Sequence, residues 1–169
     1  MGKSRQKLLA DLSLAVKLFF LIILPLLVSC SLPGVVIVED KLTAEQHNDL
    51  GYVYEQKQLY DLAEKEYMLA AEKRPEWDVP YFNLGNLSFK KGDFPRSEIF
   101  YRQALERNGN NTDAMNNLAN ALLMQDRLDE ARLLIERALQ TGRKEVYFDT
   151  LKRIKEREVL RPSYPKSTK

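Results

Sequence analysis

From residue 44 onward, apolar, small and polar positions recur with a fixed spacing. Residues 44–77, 78–111 and 112–145 align without gaps as three blocks of 34 residues. Leu50-Gly51 falls on Leu84-Gly85 and then on Leu118-Ala119. Ala63 falls on Ser97 and Ala131, Tyr67 on Tyr101 and Ile135, and Ala70 on Ala104 and Ala138. Tyr60 falls on Phe94 and Leu128. Such self-similarity marks a repeat architecture, in which each unit hides its apolar face against the next. Within a unit, the small residues let two helices approach closely, and rings such as Tyr67 and Tyr101 fill the space between them.

Local signals place the helix ends. Thr43 with Gln46 reads as a capping box at the first helix. Asp61 and Asp129 are placed to cap second helices. Gly92-Asp93-Phe94-Pro95 breaks one helix and opens the next.

Leu50-Gly51 with Tyr54, then Ala63 with Tyr67, then Pro75, is similar to the tetratricopeptide repeat, whose pattern is L-G-x2-Y, A-x3-F and P at this period. Ser88 and Leu122 stand at the Tyr54 position of the later blocks, and Gly109 and Arg143 at that of Pro75. The resemblance covers residues 44–145. It implies an all-α protein, a right-handed α-solenoid of three helix-turn-helix repeats. A terminal repeat needs a cover over its open face. Val146, Phe148, Leu151 and Ile154 form an amphipathic stripe that predicts a seventh, capping helix over residues 146–160, apolar inward and basic outward. Arg161-Pro162 ends it, and residues 161–169 read as a mobile tail.

The first 29 residues have a different character. Lys3, Arg5, Lys7 and Lys17 precede an eleven-residue apolar run, Leu18 to Val28, that contains Pro25. As a helix it would span roughly 16 Å, against about 30 Å of bilayer hydrocarbon. That length suits the apolar core of a secretory signal better than a membrane span. Leu27-Val28-Ser29-Cys30 then resembles the bacterial lipobox. The resemblance implies removal of residues 1–29, a diacylglyceryl group on the Cys30 sulfur and further acylation, with palmitate-type chains, of the new N-terminus. Several chains hold a protein stably where one anchors marginally. The alternative is an uncleaved anchor with an incidental cysteine. Ser31 after Cys30, with no Asp there, resembles the pattern sorted to the outer membrane, facing the periplasm, if the host has two membranes. Residues 30–43 would be the lipidated N-terminus and tether. Val35, Val36, Ile37 and Val38 within it either pack on the first repeat or offer a strand to a partner.

Charge and composition narrow the function further. The net charge is +2 overall, but residues 1–29 carry +3, residues 143–169 carry +5 and residues 30–142 carry −6. An acidic body with a basic tail is not a nucleic-acid-binding surface. A single cysteine and a single histidine, His47, leave no Cys-rich or His-pair metal site. His47 reads as core or groove-edge packing. Phosphate-cradling glycine loops and a nucleophile–base pair are both missing, so neither an enzyme, a cofactor nor a small-molecule substrate is expected.

Binding is the better candidate. In this family the first helix of each repeat lines a groove. The matching positions, spaced by three and four, are Glu45, Asn48, Tyr52, Glu55 and Gln56 in the first block. They are Val79, Phe82, Asn86, Phe89 and Lys90 in the second, and Asp113, Asn116, Asn120, Leu123 and Met124 in the third. Asn83 and Asn117 recur beside this face. Amides both donate and accept, so they can pair with any peptide backbone; equally, Asn residues here are common consensus structure in the family. Phe82, Phe89 and Tyr52 could hold apolar side chains. Some family members clamp a terminal carboxylate with Lys and Arg. Here those places hold Asn48, Tyr52, Asp113 and Asn117, so that clamp is not expected. The expectation is a lipid-anchored scaffold or adaptor of the bacterial cell envelope with a protein or peptide partner in the groove. The alternative is an accessory subunit of an envelope peptidase, exporter or pilus/secretin assembly system.

Overall fold

A computed structural model describes residues 40–160 and, upstream, Val16. The lipobox with Cys30, the residues 35–38 and the tail 161–169 lie outside the described residues. The chain divides into two units, Met1–Asp40 and Lys41–Lys169, and the helices below belong to the second. They are α1 (Ala44–Gln56), α2 (Tyr60–Lys73), α3 (Asp78–Lys90), α4 (Phe94–Arg107), α5 (Thr112–Met124), α6 (Leu128–Thr141) and α7 (Glu145–Leu160). Among the described residues there is no strand, and no helix is long and apolar enough to cross a membrane. Three helix pairs follow the 34-residue blocks, and α7 packs on α6 and α5.

Each pair is joined by the same turn. The first helix ends in a left-handed residue, Gln58 (φ 59°), Gly92 (φ 79°) or Asp126 (φ 59°). Around it run the two bonds of a Schellman motif. In the first repeat Gln58 N donates to Glu55 O at 2.9 Å and Leu59 N to Tyr54 O at 2.9 Å. The same bonds recur in the second repeat from Gly92 and Asp93 and in the third from Asp126 and Arg127. The residue after the left-handed position is already the N-cap of the second helix: Leu59, Asp93 and Arg127. Of these only Asp93 caps with its side chain, accepting from Arg96 N at 3.1 Å. Asp61 and Asp129, expected as caps, instead lie inside the first turn of α2 and α6. The turn is too tight to leave a cap two residues later, and there the carboxylates can only complement the helix dipole. The box at α1 forms as expected: Gln46 N donates to Thr43 Oγ1 and Thr43 N to Gln46 Oε1.

Packing within a repeat depends on the absence of a side chain. A Cβ on Gly51 would stand 2.6 Å from the Tyr67 ring, and one on Gly85 2.5 Å from the Tyr101 ring. In the third repeat a methyl is present, Ala119, and its partner is the smaller Ile135; both are fully buried. Tyr67, Leu84 and Leu87 anchor one core cluster, and Tyr101, Met115, Leu118, Leu122 and Ile135 another. A fully buried Leu of this kind contributes about 1.5–3 kcal/mol through removal from water.

α7 has a different inward face from the one its apolar residues suggest. Tyr147, Thr150 and Ile154 are buried, whereas Val146 and Phe148 are 48% and 49% exposed. Leu151 packs against the core from its margin. The helix lies where a fourth repeat would place its first helix, so the face in that register is the one covered. Tyr147 and Thr150 tolerate burial because their hydroxyls are used. Tyr147 donates to Asp113 Oδ1 at 2.7 Å, and Thr150 donates to Asn116 Oδ1 at 2.8 Å. The 34-residue register also sets α7 apart from the first helices of the repeats. Arg153 occupies the place of Gly51, Gly85 and Ala119, and Lys152 that of Leu50, Leu84 and Leu118.

Candidate functional site: a cavity on the first-helix face

The first helices of successive repeats bring three sets of side chains together. Asn86, Phe89 and Lys90 come from α3, and Asn116, Asn117, Asn120 and Met124 from α5. Val146 and Arg153 come from α7, with Phe94 and Tyr101 beneath. They line an open cavity of about 740 Å³. Its position follows from the repeat. Residues at i, i+3 and i+4 share one helix face, and stacking at a 34-residue period aligns these faces.

The cavity floor is a connected amide network. Asn86 Oδ1 accepts from Tyr101 Oη at 2.8 Å and from Asn117 Nδ2 at 2.9 Å. Asn117 Oδ1 accepts from Asn116 Nδ2 at 3.2 Å. Asn116 Oδ1 accepts from the Thr150 hydroxyl, and Thr150 Oγ1 in turn accepts from Asn120 Nδ2. Arg153 Nη1 then donates to Asn120 Oδ1 at 2.7 Å. These contacts hold α3, α5 and α7 together, so the amides have a structural role. One polar group stays available, because Asn86 spends only its oxygen and, among the described residues, its Nδ2 makes no hydrogen bond.

The walls are aromatic and aliphatic. Phe89 meets Phe94 edge-on, with ring centroids 5.2 Å apart. Lys90 reaches away toward α1, its Nζ 2.8 Å from Glu55 Oε1, while Glu55 Oε2 accepts from Tyr67 Oη at 2.9 Å. The hydrogen bond to Glu55 raises the Lys90 pKa above the usual lysine range. Burial and the same carboxylate push the Tyr67 hydroxyl up; burial also pushes up that of Tyr101.

Of the residues expected in the groove, Asn86, Phe89, Lys90, Asn116, Asn117, Asn120 and Met124 meet in this cavity. The others lie elsewhere. Asn48 and Asn83 pair with each other, Asn83 Nδ2 donating to Asn48 Oδ1 at 2.8 Å. Tyr52 is 57% exposed on α1. The Phe82 ring tilts against Tyr101 at 6.0 Å. Leu123 is 3% exposed and belongs to the core cluster. Sequence reasoning missed Arg153 and Val146. The 34-residue register gave no signal for them, since it sets Arg153 at the place of Ala119 and Val146 at that of Thr112, neither a groove position; only the packing of α7 brings both to the cavity.

The positions where a carboxylate clamp would need cations are otherwise occupied. Asn48 and Asn117 are bound as above. Asp113 is an anion held by Lys144, 2.6 Å away, and by Tyr147. Burial opposes ionisation of Asp113, but the bonds from Lys144 and Tyr147 outweigh it and hold its carboxyl below the usual range. His47 is buried with Nδ1 2.7 Å from Glu66 Oε2. Among the described residues no group of His, Cys, Asp and Glu is arranged to hold a metal ion.

Family models described as tetratricopeptide repeat match residues 45–76 and 88–154. The helix pairs are tetratricopeptide repeats. Solved tetratricopeptide domains share the fold. The first such domain of Spaghetti (RPAP3), bound to the HSP90 peptide SRMEEVD, has a TM-score of 0.67 at 22% identity, covering 73% of this chain and 98% of that one. The Arabidopsis OM64 domain gives 0.65 at 17% identity, covering 68% and 96%. The TPR2B domain of yeast Sti1, in complex with pHsp70, gives 0.65 at 19% identity, covering 68% and 97%. No curated protein matches the chain in sequence. Neither matched family model is that of an enzyme family.

Proposed function

We propose that this tetratricopeptide-repeat protein is a lipid-anchored adaptor of a bacterial cell envelope that holds an extended segment of a partner protein in the cavity between α3, α5 and α7. The observation that carries the reading is the unspent Asn86 Nδ2, set among apolar walls from Phe89, Phe94 and Met124. A donor of this kind pairs with a backbone carbonyl of any peptide, and the apolar walls take its side chains. The peptides named with the related domains of Spaghetti and of human RPAP3 support the same use of the fold. Anchoring rests on the sequence Leu27-Val28-Ser29-Cys30 after a short apolar run. In a host with two membranes the destination would be the outer membrane, facing the periplasm.

Two measurements test it. A photo-crosslinking residue in place of Phe89 in the full chain should capture a partner in cells, while one in place of Leu133, 71% exposed on α6, should not. Capture from Leu133 alone would move the interaction off the cavity. Cys30→Ala should abolish labelling by a palmitate analogue and release the protein from the membrane fraction. Persisting label would remove the lipid anchor from the reading.

A further inference from the structure

The cavity does not end at Arg153. A second one, of about 300 Å³, adjoins it and shares Met124 and Arg153; Leu123, Glu156, Arg157 and Leu160 complete its lining. Arg153 and Arg157 are four residues apart on one helix and so project from one face. Among the described residues neither meets a carboxylate. The polar partner of Arg153 there is the neutral Asn120 Oδ1, and Arg157 makes no ion pair with any of them.

The other charges along this groove are accounted for. Lys90 is neutralised by Glu55. Glu156 points its carboxylate toward Lys152, 4.0 Å away on the solvent side of α7. Residues 161–169 contain Arg161, Lys166 and Lys169 and neither Asp nor Glu, so the stretch after α7 brings no compensating side chain. Two like charges at i and i+4 weaken a helix by a few tenths of a kcal/mol. By contrast, Arg96, Arg102, Arg127 and Arg132 each meet a glutamate.

We propose that the partner segment is acidic, and that it places an Asp or Glu carboxylate between Arg153 and Arg157 while an apolar neighbour enters between Phe89 and Met124. This rests on the cavity being the binding site. Guanidinium groups meet carboxylates in paired, charge-assisted hydrogen bonds. The bond from Asn120 already orients one of the two. These arginines lie on α7, away from the positions at which relatives clamp a terminal carboxylate, so an internal acidic residue fits as well as a chain end.

The test is selection of a displayed library of random dodecapeptides on the full chain, followed by affinity measurement with synthetic peptides. Recovered peptides whose binding falls at least tenfold on Phe89→Ala should each carry Asp or Glu. Arg153→Gln with Arg157→Gln should weaken them about tenfold or more. Changing the peptide's acid to its amide should do the same to the wild-type chain and little more to the variant. Arg157→Gln alone spares the Asn120 bond and should still cost several-fold, with an unchanged circular dichroism melt. Phe89-dependent peptides that lack an acid, or acidic ones indifferent to the arginines, would overturn the inference and leave the cavity as the site. If no peptide depends on Phe89, the cavity reading itself fails, and this inference with it.

Discussion

Gly85 sits against Tyr101 so closely that a Cβ on the glycine would stand 2.5 Å from two atoms of the ring. The ring is fully buried and tied at its hydroxyl to Asn86, so it has nowhere to go. The same pair, Gly51 and Tyr67, recurs in the first repeat, and the third replaces both members, with Ala119 against Ile135.

Gly85→Ala should therefore destabilise by about 1–3 kcal/mol, the usual cost of overpacking. Tyr101→Ile carries its own cost. Combined with Gly85→Ala it should cost clearly less than the sum of the two, because the third repeat shows that pair fitting. Urea denaturation of the four proteins in the cycle checks it. Additive losses would mean that the contact is not what excludes the methyl.

Gly92 isolates a backbone effect. Its φ is 79°, and a Cβ there would meet nothing within 4 Å. Gly92→Ala should lower stability by about 1–2 kcal/mol through the left-handed conformation alone. Gln58→Gly, at the equivalent turn with φ 59°, should raise it by up to about 1 kcal/mol. Denaturant midpoints read both changes. Loss of stability in Gln58→Gly would show that its side chain outweighs the strain.

Truncation after Gly142 should remove the cover over α5 and α6. Tyr147 and Ile154 leave the core cluster, and the Asn116 carboxamide loses the Thr150 hydroxyl. Loss of one large buried side chain typically costs about 3–5 kcal/mol. Natural domains have about 5–15 kcal/mol in total. The truncated protein should melt at a markedly lower temperature and aggregate. A melt matching the full chain would show that α7 is not a structural cap.

Tyr67 and Tyr101 set an alkaline limit. Both pKa values are raised, Tyr67 by burial and Glu55 and Tyr101 by burial. Below the unfolded tyrosine pKa of about 10 both states hold the proton, and this contribution is complete. Above it the unfolded chain ionises while the folded one does not. Stability should then fall by about 1.4 kcal/mol per pH unit for each ring until the folded groups themselves ionise. Urea midpoints between pH 9 and 11.5 should decline less steeply in Tyr67→Phe than in the wild type. Parallel declines would assign the alkaline loss to other groups, such as the lysine ion pairs.

The 34-residue recurrence by itself determined the repeat count, and helical spacing the face that carries the cavity. Its resemblance to the tetratricopeptide pattern implied paired helices stacked so that each buries the last. It also placed Asn86, Phe89 and Asn120 on one side, because helical spacing does so whatever the neighbours are. Tertiary packing alone decided the rest. Apolarity nominated Val146 and Phe148 as the inward residues of α7, yet the register of the stack turned Tyr147 and Thr150 inward, where hydroxyl bonds to Asp113 and Asn116 make their burial favourable. Likewise Leu123 lies in the core and Arg153 in the cavity. Which side of a helix is covered depends on what stands opposite, and the partners of Tyr147 and Thr150 on α5 are 34 positions away in the chain.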